Sequence, residues 1–397
     1  MIRPELCIRC RGAKYLCGLS YCPIIVNTKT VRIDFKEVYG SSPPTVFVGR
    51  FSYPKITIYP STPPILGDTT KFEDSKYWLN TDLSEFLSMR LSLVRGGVKY
   101  HRDDARLPDR FLLDIQSITI SSRPVELDLR LKRIPSGGIL DESLPPLGPS
   151  APLEKLEIAT LPPPLAVVEK VYDDNDMRAK DGIMKLYNAG IDVEKISRIL
   201  SIGGIGKERK LVPTRWSITA VDKAISDTLI ENIKSYDTID KVEVYFRKHN
   251  KNIFIAILLP RDWSFEWGEA WYPGSTWNKF GNYVDIEVDN ERYHGRSDYP
   301  EIGGCYYASR LGVTEFLASR KRQATAILWR EIYGGFNLPL GVWFVRENVR
   351  EMFKGKPVVF DDITTALNFV KRLLRSDLKQ WLSKSVLSFN TIDKWLK

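Results

Sequence analysis

The spacing of apolar residues along the chain alternates between a helical period and a strand period. Helical spacing predicts helices over 81–93, 175–188, 193–200, a long helix from Ser217 or Thr219 to about 234, 305–322 and 364–382. Short apolar or alternating runs predict strands over 45–49, 55–59, 111–121, 125–134, 242–246, 252–259, 282–289, 324–332 and 340–346. This mixture predicts the α+β class, with a mixed α/β core.

Composition divides the chain into five predicted segments. A small cysteine-bearing module covers 1–27, and a β-rich part follows over 28–135. Residues 136–164 are rich in Pro, Gly and Ser, which predicts a linker or a long surface loop. We expect an α+β main domain over 165–382 and a flexible tail over 383–397.

The N-terminal module carries four of the five cysteines of the chain: Cys7, Cys10, Cys17 and Cys22. The first two form a CxxC pair, a spacing that lets two sulfurs reach one metal ion from a single turn. Four thiolates in one short segment therefore predict a structural Zn²⁺ site, whose closed shell leaves no position for a substrate. Two disulfides are the alternative. We expect no signal peptide ahead of the cysteines, which favours zinc.

The chain has a formal net charge of +9, which favours a polyanionic partner such as nucleic acid or an anionic membrane surface. A basic protein without such a partner is the alternative. No run of 18 apolar residues occurs, so we expect no membrane-spanning helix. The remaining cysteine, Cys305, has no evident partner and indicates a reducing compartment, the cytoplasm.

A basic segment follows the glycine-rich residues 203–206. It contains the cations Lys207, Arg209, Lys210 and Arg215, followed by Trp216. A glycine-rich loop ahead of a helix offers free N–H groups and a positive dipole end to a phosphate, and Arg215 and Trp216 are suited to clamp or stack on a base. The GxxxxGK[ST] spacing of a Walker loop is absent. A solvated basic loop is the alternative.

Two further features of the chain fit nucleic acid. The short helices predicted over 175–188 and 193–200 resemble a helix-turn-helix, because Ala189-Gly190-Ile191 joins them. Arg320, Lys321 and Arg322 end the helix predicted over 305–322 and are candidates for phosphate contact. Cations at a helix C-terminus are also favoured by the helix dipole alone.

The candidate residues for acid–base chemistry lie mostly in the second half of the chain. Glu266 and Glu269 lie among the four tryptophans of 263–277, a predicted aromatic loop suited to bind a base, sugar or nucleotide. The alternative is a loop that packs over the core. Asp222, His294 and Asp298 are the other candidates, and the single histidine is more often structural than catalytic.

The C-terminal tail carries a hydrophobic plug on one predicted turn. Its apolar residues are Phe389, Ile392, Trp395 and Leu396. A free tail of this kind is suited to insert into an apolar pocket of a partner. It resembles the box that binds the sliding clamp PCNA, with Ile392, Trp395 and Leu396 at the anchor positions and Phe389 where the box has glutamine. A terminal helix docked on its own core is the alternative.

Three strings of the chain resemble the archaeal Nre family of DNA-repair proteins. They are the cysteine segment 7–23, the central string 209–222 and the string 339–347, and the tail completes the resemblance. The resemblance covers nearly the whole chain. It implies a role in the response to DNA damage with clamp binding through the tail, and it assigns no reaction.

Three functional hypotheses follow from the sequence. The first is a repair factor that binds DNA and is tethered to PCNA. The second is an enzyme on DNA or a nucleotide, a nuclease or a nucleotide-dependent transferase, with 263–277 as its pocket. The sequence has no convincing carboxylate cluster for Mg²⁺, which argues against the nuclease. The third is a non-catalytic adaptor.

Overall fold

The computed structural model describes residues 4–12, 14, 16–18, 22 and 33–385. The chain divides into two compact units, an N-terminal unit (Thr28–Ile225) and a C-terminal unit (Ser226–Lys397 together with Met1–Asn27). The first helix, α1 (Pro4–Cys10), belongs to the C-terminal unit. The fold is α+β, as predicted. Over the described part of the chain, no helix combines the length and apolarity needed to cross a membrane.

The N-terminal unit is built on a mixed six-stranded sheet. Its strands are β1 (Glu37–Ser42), β2 (Val46–Val48), β3 (Lys55–Thr62), β4 (Val94–His101), β5 (Val125–Leu131) and β6 (Ser150–Thr160). They lie in the order β1-β5-β6-β4-β3-β2, and only the β4–β6 pair is parallel. Strand β6 lies inside the segment 136–164, so the prediction of a linker is wrong for these residues. Its carbonyl and N–H groups are paired with β5 and β4 in the middle of the sheet.

The helices of the N-terminal unit lie between and after these strands. They are α2 (Ser75–Leu79), α3 (Leu83–Leu91), α4 (Arg110–Ile120), α5 (Ala166–Asp173), α6 (Ala179–Asn188), α7 (Val193–Ser201) and α8 (Thr214–Ile233), with 3₁₀ helices over Thr70–Glu73 and Arg102–Arg106. The division between the two units falls within α8. The predicted pair of short helices is confirmed by α6 and α7, and Gly190 makes the turn between them with φ +79°.

The strand predicted over 111–121 is wrong, because these residues form helix α4. Asp109 accepts a hydrogen bond from the N–H of Leu112 at 2.8 Å and so caps the helix. Leu112, Ile115 and Ile118 then fall on one buried face, in the same hydrophobic cluster as residues of β2, β3 and β5. The β-branched residues suggested a strand, but the cap and the helical spacing of the buried residues prevail.

The C-terminal unit has a second mixed six-stranded sheet. Its strands are β7 (Val242–His249), β8 (Asn252–Leu259), β9 (Ser264–Trp271), β10 (Asp285–Glu291), β11 (Thr325–Ile332) and β12 (Val358–Phe360). They lie in the order β10-β9-β11-β8-β7-β12, and only β9 and β11 are parallel. The buried strand predicted over 252–259 is confirmed by β8. The loop predicted over 263–277 is wrong, because β9 occupies its first half.

Four helices complete the described part of the C-terminal unit: α9 (Gly304–Arg320), α10 (Val342–Met352), α11 (Ile363–Leu373) and α12 (Leu378–Lys384). Helix α10 replaces the strand predicted over 340–346. The single helix predicted over 364–382 is divided in two, because Asp377 caps α12 by accepting a hydrogen bond from the N–H of Lys379 at 3.0 Å. The ring of Trp381 on α12 stacks on Trp329 of β11 with centroids 4.9 Å apart. This stack joins the helix to the core of the sheet.

Candidate nucleic-acid interface

The basic segment of the N-terminal unit runs beside the 3₁₀ helix that follows β4. The N–H of Leu211 donates to the carbonyl of Arg102 at 2.7 Å, and the N–H of Arg102 donates to the carbonyl of Pro54 at 2.9 Å. At Gly203, φ is +71° and a Cβ atom would lie 2.6 Å from the Cβ of Ala105. A glycine is therefore required at the start of the segment, both for the backbone conformation and for the close approach.

Two of the predicted nucleic-acid ligands have structural partners inside the unit. Arg209 donates to the carbonyl oxygens of Tyr172 and Gly203 at 2.5 and 3.2 Å, and burial lowers its pKa. Arg215 binds the carboxylate of Asp141 at 2.6 Å and also that of Glu142. Both guanidinium groups hold loops of the N-terminal unit together, so they are poorly placed to serve mainly as phosphate ligands.

Trp216 remains exposed at the start of α8, with 44 % of its surface accessible. Its ring packs edge-on against Tyr53, with centroids 5.0 Å apart. The hydroxyl of Tyr53 accepts a hydrogen bond from Arg102 at 2.7 Å, and this guanidinium lies 5.5 Å from the tyrosine ring. An exposed indole, a phenol ring and a cation are thus held in contact.

More cations and one more aromatic ring lie in the same three segments of the chain, the 50–53 turn, the 3₁₀ helix at Arg102 and the basic segment. Phe51 is 65 % exposed in the turn between β2 and β3, with the guanidinium of Arg50 5.4 Å from its ring. Lys210 binds Glu208 at 2.6 Å, and this hydrogen bond is the main reason that the pKa of Glu208 is lowered. We call the following set the aromatic–basic surface: Arg50, Phe51, Tyr53, Arg102, Arg106, Lys207, Lys210 and Trp216.

The aromatic–basic surface has the composition of a single-strand platform. Bases stack on exposed aromatic rings, and the neighbouring cations neutralise phosphates. The sequence predicted Lys207, Lys210 and Trp216 but missed the 50–53 turn and Arg102. The signal for the turn was its alternation of cations and aromatic rings, Arg50-Phe51-Ser52-Tyr53. The contact with Trp216, 163 positions along the chain from Tyr53, left no trace in the sequence.

The tryptophans and glutamates of 263–277 are buried in the C-terminal unit. Trp263, Trp267, Trp271 and Trp277 are each at most 3 % exposed. Glu266 accepts hydrogen bonds from the indole N–H of Trp329 at 2.9 Å and from Ser385 at 2.6 Å. Glu269 forms ion pairs with Arg11 and Arg330 at 2.9 and 3.1 Å. These carboxylates stabilise the interior of a sheet, and the described tryptophans do not form the open pocket that we expected.

The other acid–base candidates lie on different elements from these glutamates, which are on β9. Asp222 is fully buried on α8. His294 and Asp298 are both exposed between β10 and α9, and the ring of His294 packs edge-on against Tyr293 at 5.5 Å. The Nε of Arg296 donates to the backbone carbonyl of Asp298 at 2.8 Å. The described contacts of His294 and Asp298 do not form a recognisable catalytic arrangement.

The cationic run at the end of α9 is only partly available to a ligand. Arg320 forms an ion pair with Glu243 at 2.6 Å, and the hydrogen bond that it donates to this carboxylate is the main reason that the pKa of Arg320 is raised. Lys321 is exposed in a left-handed conformation that ends the helix, and Arg322 is partly buried. Arg320 therefore has a structural role in addition to its position at the helix dipole.

The predicted zinc ligands are thiols that are not joined in disulfides. Cys10 is buried, and Cys7, Cys17 and Cys22 are partly buried. Across the described residues, no three His, Cys, Asp or Glu side chains are arranged as a metal-binding group. The thiol chemistry suits Zn²⁺, but the described positions do not form its ligand shell. The predicted clamp-binding residues Phe389, Ile392, Trp395 and Leu396 lie outside the described residues.

Comparisons with known proteins cover both units. Residues 16–278 match the family model described as archaeal Nre, N-terminal, and residues 291–395 match archaeal Nre, C-terminal. No solved structure is significantly similar.

The curated relatives are similar along nearly their full lengths. The chain is 44 % identical to DNA repair protein NreB of Archaeoglobus fulgidus, over 96 % of each chain. It is 35 % identical to DNA repair protein NreA of the same organism, over 94 % of this chain and 95 % of the relative. It is also 35 % identical to DNA repair protein NreA of Haloferax volcanii, over 92 % of this chain and 91 % of the relative. The protein therefore belongs to the archaeal Nre family.

Proposed function

We propose that this protein is a DNA-damage response or repair factor that binds DNA through the aromatic–basic surface. The observation that carries the proposal is the exposed contact of Trp216, Tyr53 and Arg102. Its relatives are named DNA repair proteins, which supports the same role. We also propose a cytoplasmic location.

The proposed interface favours single-stranded DNA over duplex. Trp216 and Phe51 are accessible side chains that offer ring surface to unpaired bases, whereas a base inside a duplex is already stacked. Lys207, Lys210 and Arg106 would follow the backbone beside the rings. Arg209 and Arg215 contribute by holding the segment in place.

The test is fluorescence anisotropy with single-stranded and duplex oligonucleotides at several salt concentrations. Tyr53→Ala and Trp216→Ala should each weaken single-strand binding by about 1–3 kcal/mol if one base stacks on each ring. Phe280→Ala is the matched control, because Phe280 is 62 % exposed in the C-terminal unit. Equal losses in all three variants, or no binding by the wild-type chain, would refute the interface and favour the adaptor hypothesis.

Substitution of the cations provides an independent measurement. Lys207→Gln and Lys210→Gln should each reduce the slope of log affinity against log salt by about 0.7 for single strands, for every phosphate contact removed. Lys132→Gln, at another exposed position of the unit, is the control. A salt slope that is the same in the wild type and the variants would exclude phosphate contact at these two lysines.

The second part of the proposal is a tether to the sliding clamp through Phe389, Ile392, Trp395 and Leu396. Support comes from their anchor spacing alone. Calorimetric titration of PCNA with the full chain and with a chain truncated after Ser388 tests it. We expect truncation to abolish clamp binding and to leave DNA binding intact. Clamp binding that survives truncation would contradict the tail assignment.

The third part is a structural Zn²⁺ bound by Cys7, Cys10, Cys17 and Cys22. The thiol chemistry of these residues and their spacing support it. We expect one zinc ion per chain by plasma mass spectrometry of protein purified without added metal. Cys10→Ser should reduce the zinc content and lower the melting temperature, whereas Cys305→Ser should leave the zinc content unchanged. A metal-free, fully folded wild-type protein would refute this part.

A further inference from the structure

A cavity of about 370 Å³ lies entirely within the N-terminal unit. The turn before β2, the 3₁₀ helix at Thr70, the end of α4, the start of α5 and the first turns of α7 enclose it. Its volume is at the lower end of the range of small-ligand pockets. The wall combines apolar side chains, such as Ile120 and Val168, with a few charged groups.

Lys195 brings its amine to the wall of this cavity. Asp192 caps α7 by accepting a hydrogen bond from the N–H of Glu194 at 3.2 Å, which fixes the first turn of the helix and hence the position of Lys195. The Nζ atom donates to the carbonyl oxygen of Ser121 at 2.7 Å, and this is its single hydrogen bond to the described residues. A carbonyl acceptor satisfies a neutral amine as well as an ammonium.

Glu73, the carboxylate whose charge acts on Lys195, is already engaged by two arginines. Glu73 accepts hydrogen bonds from Arg90 at 2.5 Å, from Arg198 at 2.7 Å and from Thr45 at 2.6 Å. Burial lowers the pKa of Lys195 well below its ordinary value. The charge of Arg198 lowers this pKa further, and its effect is larger than the opposing effect of Glu73. A buried amine beside another cation is the environment that makes lysine a nucleophile at neutral pH.

Arg198 supplies a second group for a ligand. It lines the same cavity, is 9 % exposed and has an Nε atom without a hydrogen-bond partner in the described structure. Such a donor is costly to bury unless a ligand or water satisfies it. It is suited to bind an oxygen atom of a molecule that reacts with Lys195.

We propose that Lys195 is the nucleophile of a Schiff-base site for an aldehyde. The amine nitrogen attacks the carbonyl carbon and forms a carbinolamine; loss of water then leaves a C=N bond, which takes up a proton as an iminium ion. No oxidant or reductant takes part. The apolar part of the wall limits the access of water that would hydrolyse the imine.

The aldehyde we favour is the open-chain deoxyribose of an abasic site in DNA. This choice rests on the proposed function. Two exposed cations, Lys76 and Arg123, line the mouth of the cavity and would contact flanking phosphates. The carboxylates at the mouth, Asp74 and Asp192, are engaged as helix caps. A free small aldehyde would not need these cations.

Borohydride trapping with the full-length protein tests the proposal. An end-labelled oligonucleotide with one abasic site is incubated with protein and reductant, and the covalent adduct is resolved on a denaturing gel and mapped by mass spectrometry. We expect an adduct at Lys195 that is lost in Lys195→Met. Lys132→Met is the matched control, because this exposed lysine of the same unit does not line the cavity, and it should retain the adduct. Thermal unfolding checks that both variants fold.

A second arm uses glycolaldehyde, a free small aldehyde, under the same conditions. Trapping at Lys195 with glycolaldehyde but not with abasic DNA would overturn the abasic-site assignment. No adduct in either arm, or an adduct that survives in Lys195→Met, would overturn the Schiff-base site. Binding of intact DNA is measured in parallel. If that binding persists without trapping, only the lysine proposal fails; if it is absent while Lys195 traps glycolaldehyde, the proposed function fails.

Discussion

Glu73→Gln should destabilise the N-terminal unit strongly, because this one carboxylate is paired with two buried guanidinium groups. The side chains of Arg90 and Arg198 are 2 % and 10 % exposed, and Glu73 itself is 7 % exposed. The amide keeps the size of the side chain but removes its charge. Two cations would then remain in a low-dielectric interior close to Lys195.

The magnitude follows from the burial of all three side chains. Removal of one partner from a buried ion pair costs about 3–5 kcal/mol, because the remaining charge is not compensated. The N-terminal unit is in the size range in which 1 kcal/mol shifts the melting temperature by about 2–4 °C, so we expect a decrease of about 6–20 °C. The loss of hydrogen bonds alone would give a smaller effect, about 1–3 kcal/mol.

Differential scanning calorimetry of the full chain measures this decrease. Glu157→Gln is the matched control, because its ion pair with Lys155 lies on the surface, with both side chains more than half exposed. We expect no measurable shift for the control, since exposed pairs contribute little to stability. If Glu73→Gln shifted the transition no more than Glu157→Gln, the buried arginines would be compensated in another way and the argument would be refuted.

The remaining predictions concern acid stability and two single positions. Burial raises the pKa of Glu73, but Arg90 and Arg198 outweigh this effect, so the pKa is lowered on balance. The ionised carboxylate therefore stabilises the fold fully above the ordinary carboxyl pKa, and this stabilisation is lost as pH falls through the lowered pKa. In urea titrations, the stabilities of the wild type and Glu73→Gln should converge in acid. Arg215→Ala should cost about 1–3 kcal/mol by removing the guanidinium group from two largely buried carboxylates, while the folded fraction binds DNA almost as well as the wild type in the anisotropy assay. Gly268→Ala should cost about 1–3 kcal/mol in chemical denaturation, because its Cβ would lie 2.6 Å from the ring of Trp381; unchanged stability would mean that the ring moves aside freely.

Local patterns predicted the elements whose signals are contained in a few neighbouring residues. The uninterrupted apolar run of β8 and the turn at Gly190 were both sufficient for a correct prediction. The strand prediction for the residues of α4 is wrong because their β-branched side chains favour a strand, whereas the cap at Asp109 starts a helix. The strand predicted in place of α10 shows the same error, since Val342 and Val345 are both buried on a helix.

The candidate site was predicted less completely because its contacts join distant parts of the chain. The exposed state of Trp216 and its contact with Tyr53 depend on how the turn between β2 and β3 meets the start of α8. The interpretation of Glu269 as a candidate base was reasonable for a loop. In the structure, Glu269 is instead a buried ion-pair partner of Arg11 and Arg330, which lie 258 and 61 positions away in the sequence. Alternation of tryptophan and glutamate looks the same in an open pocket and in a buried strand with paired carboxylates.

The position of Arg11 constrains the order in which the protein can assemble during synthesis. Its guanidinium binds the carbonyl oxygen of Ile302 at 2.6 Å and the carboxylate of Glu269 at 2.9 Å, so the start of the chain is part of a core formed by its second half. The N-terminal unit is an uninterrupted stretch between these two parts and can fold while the ribosome is still translating α9. Arg11 therefore leaves the ribosome before the N-terminal unit, yet it meets Glu269 and Ile302 only after that unit has been synthesised. In an isolated C-terminal half, the buried carboxylate of Glu269 would keep Arg330 but lose Arg11 as an ion-pair partner.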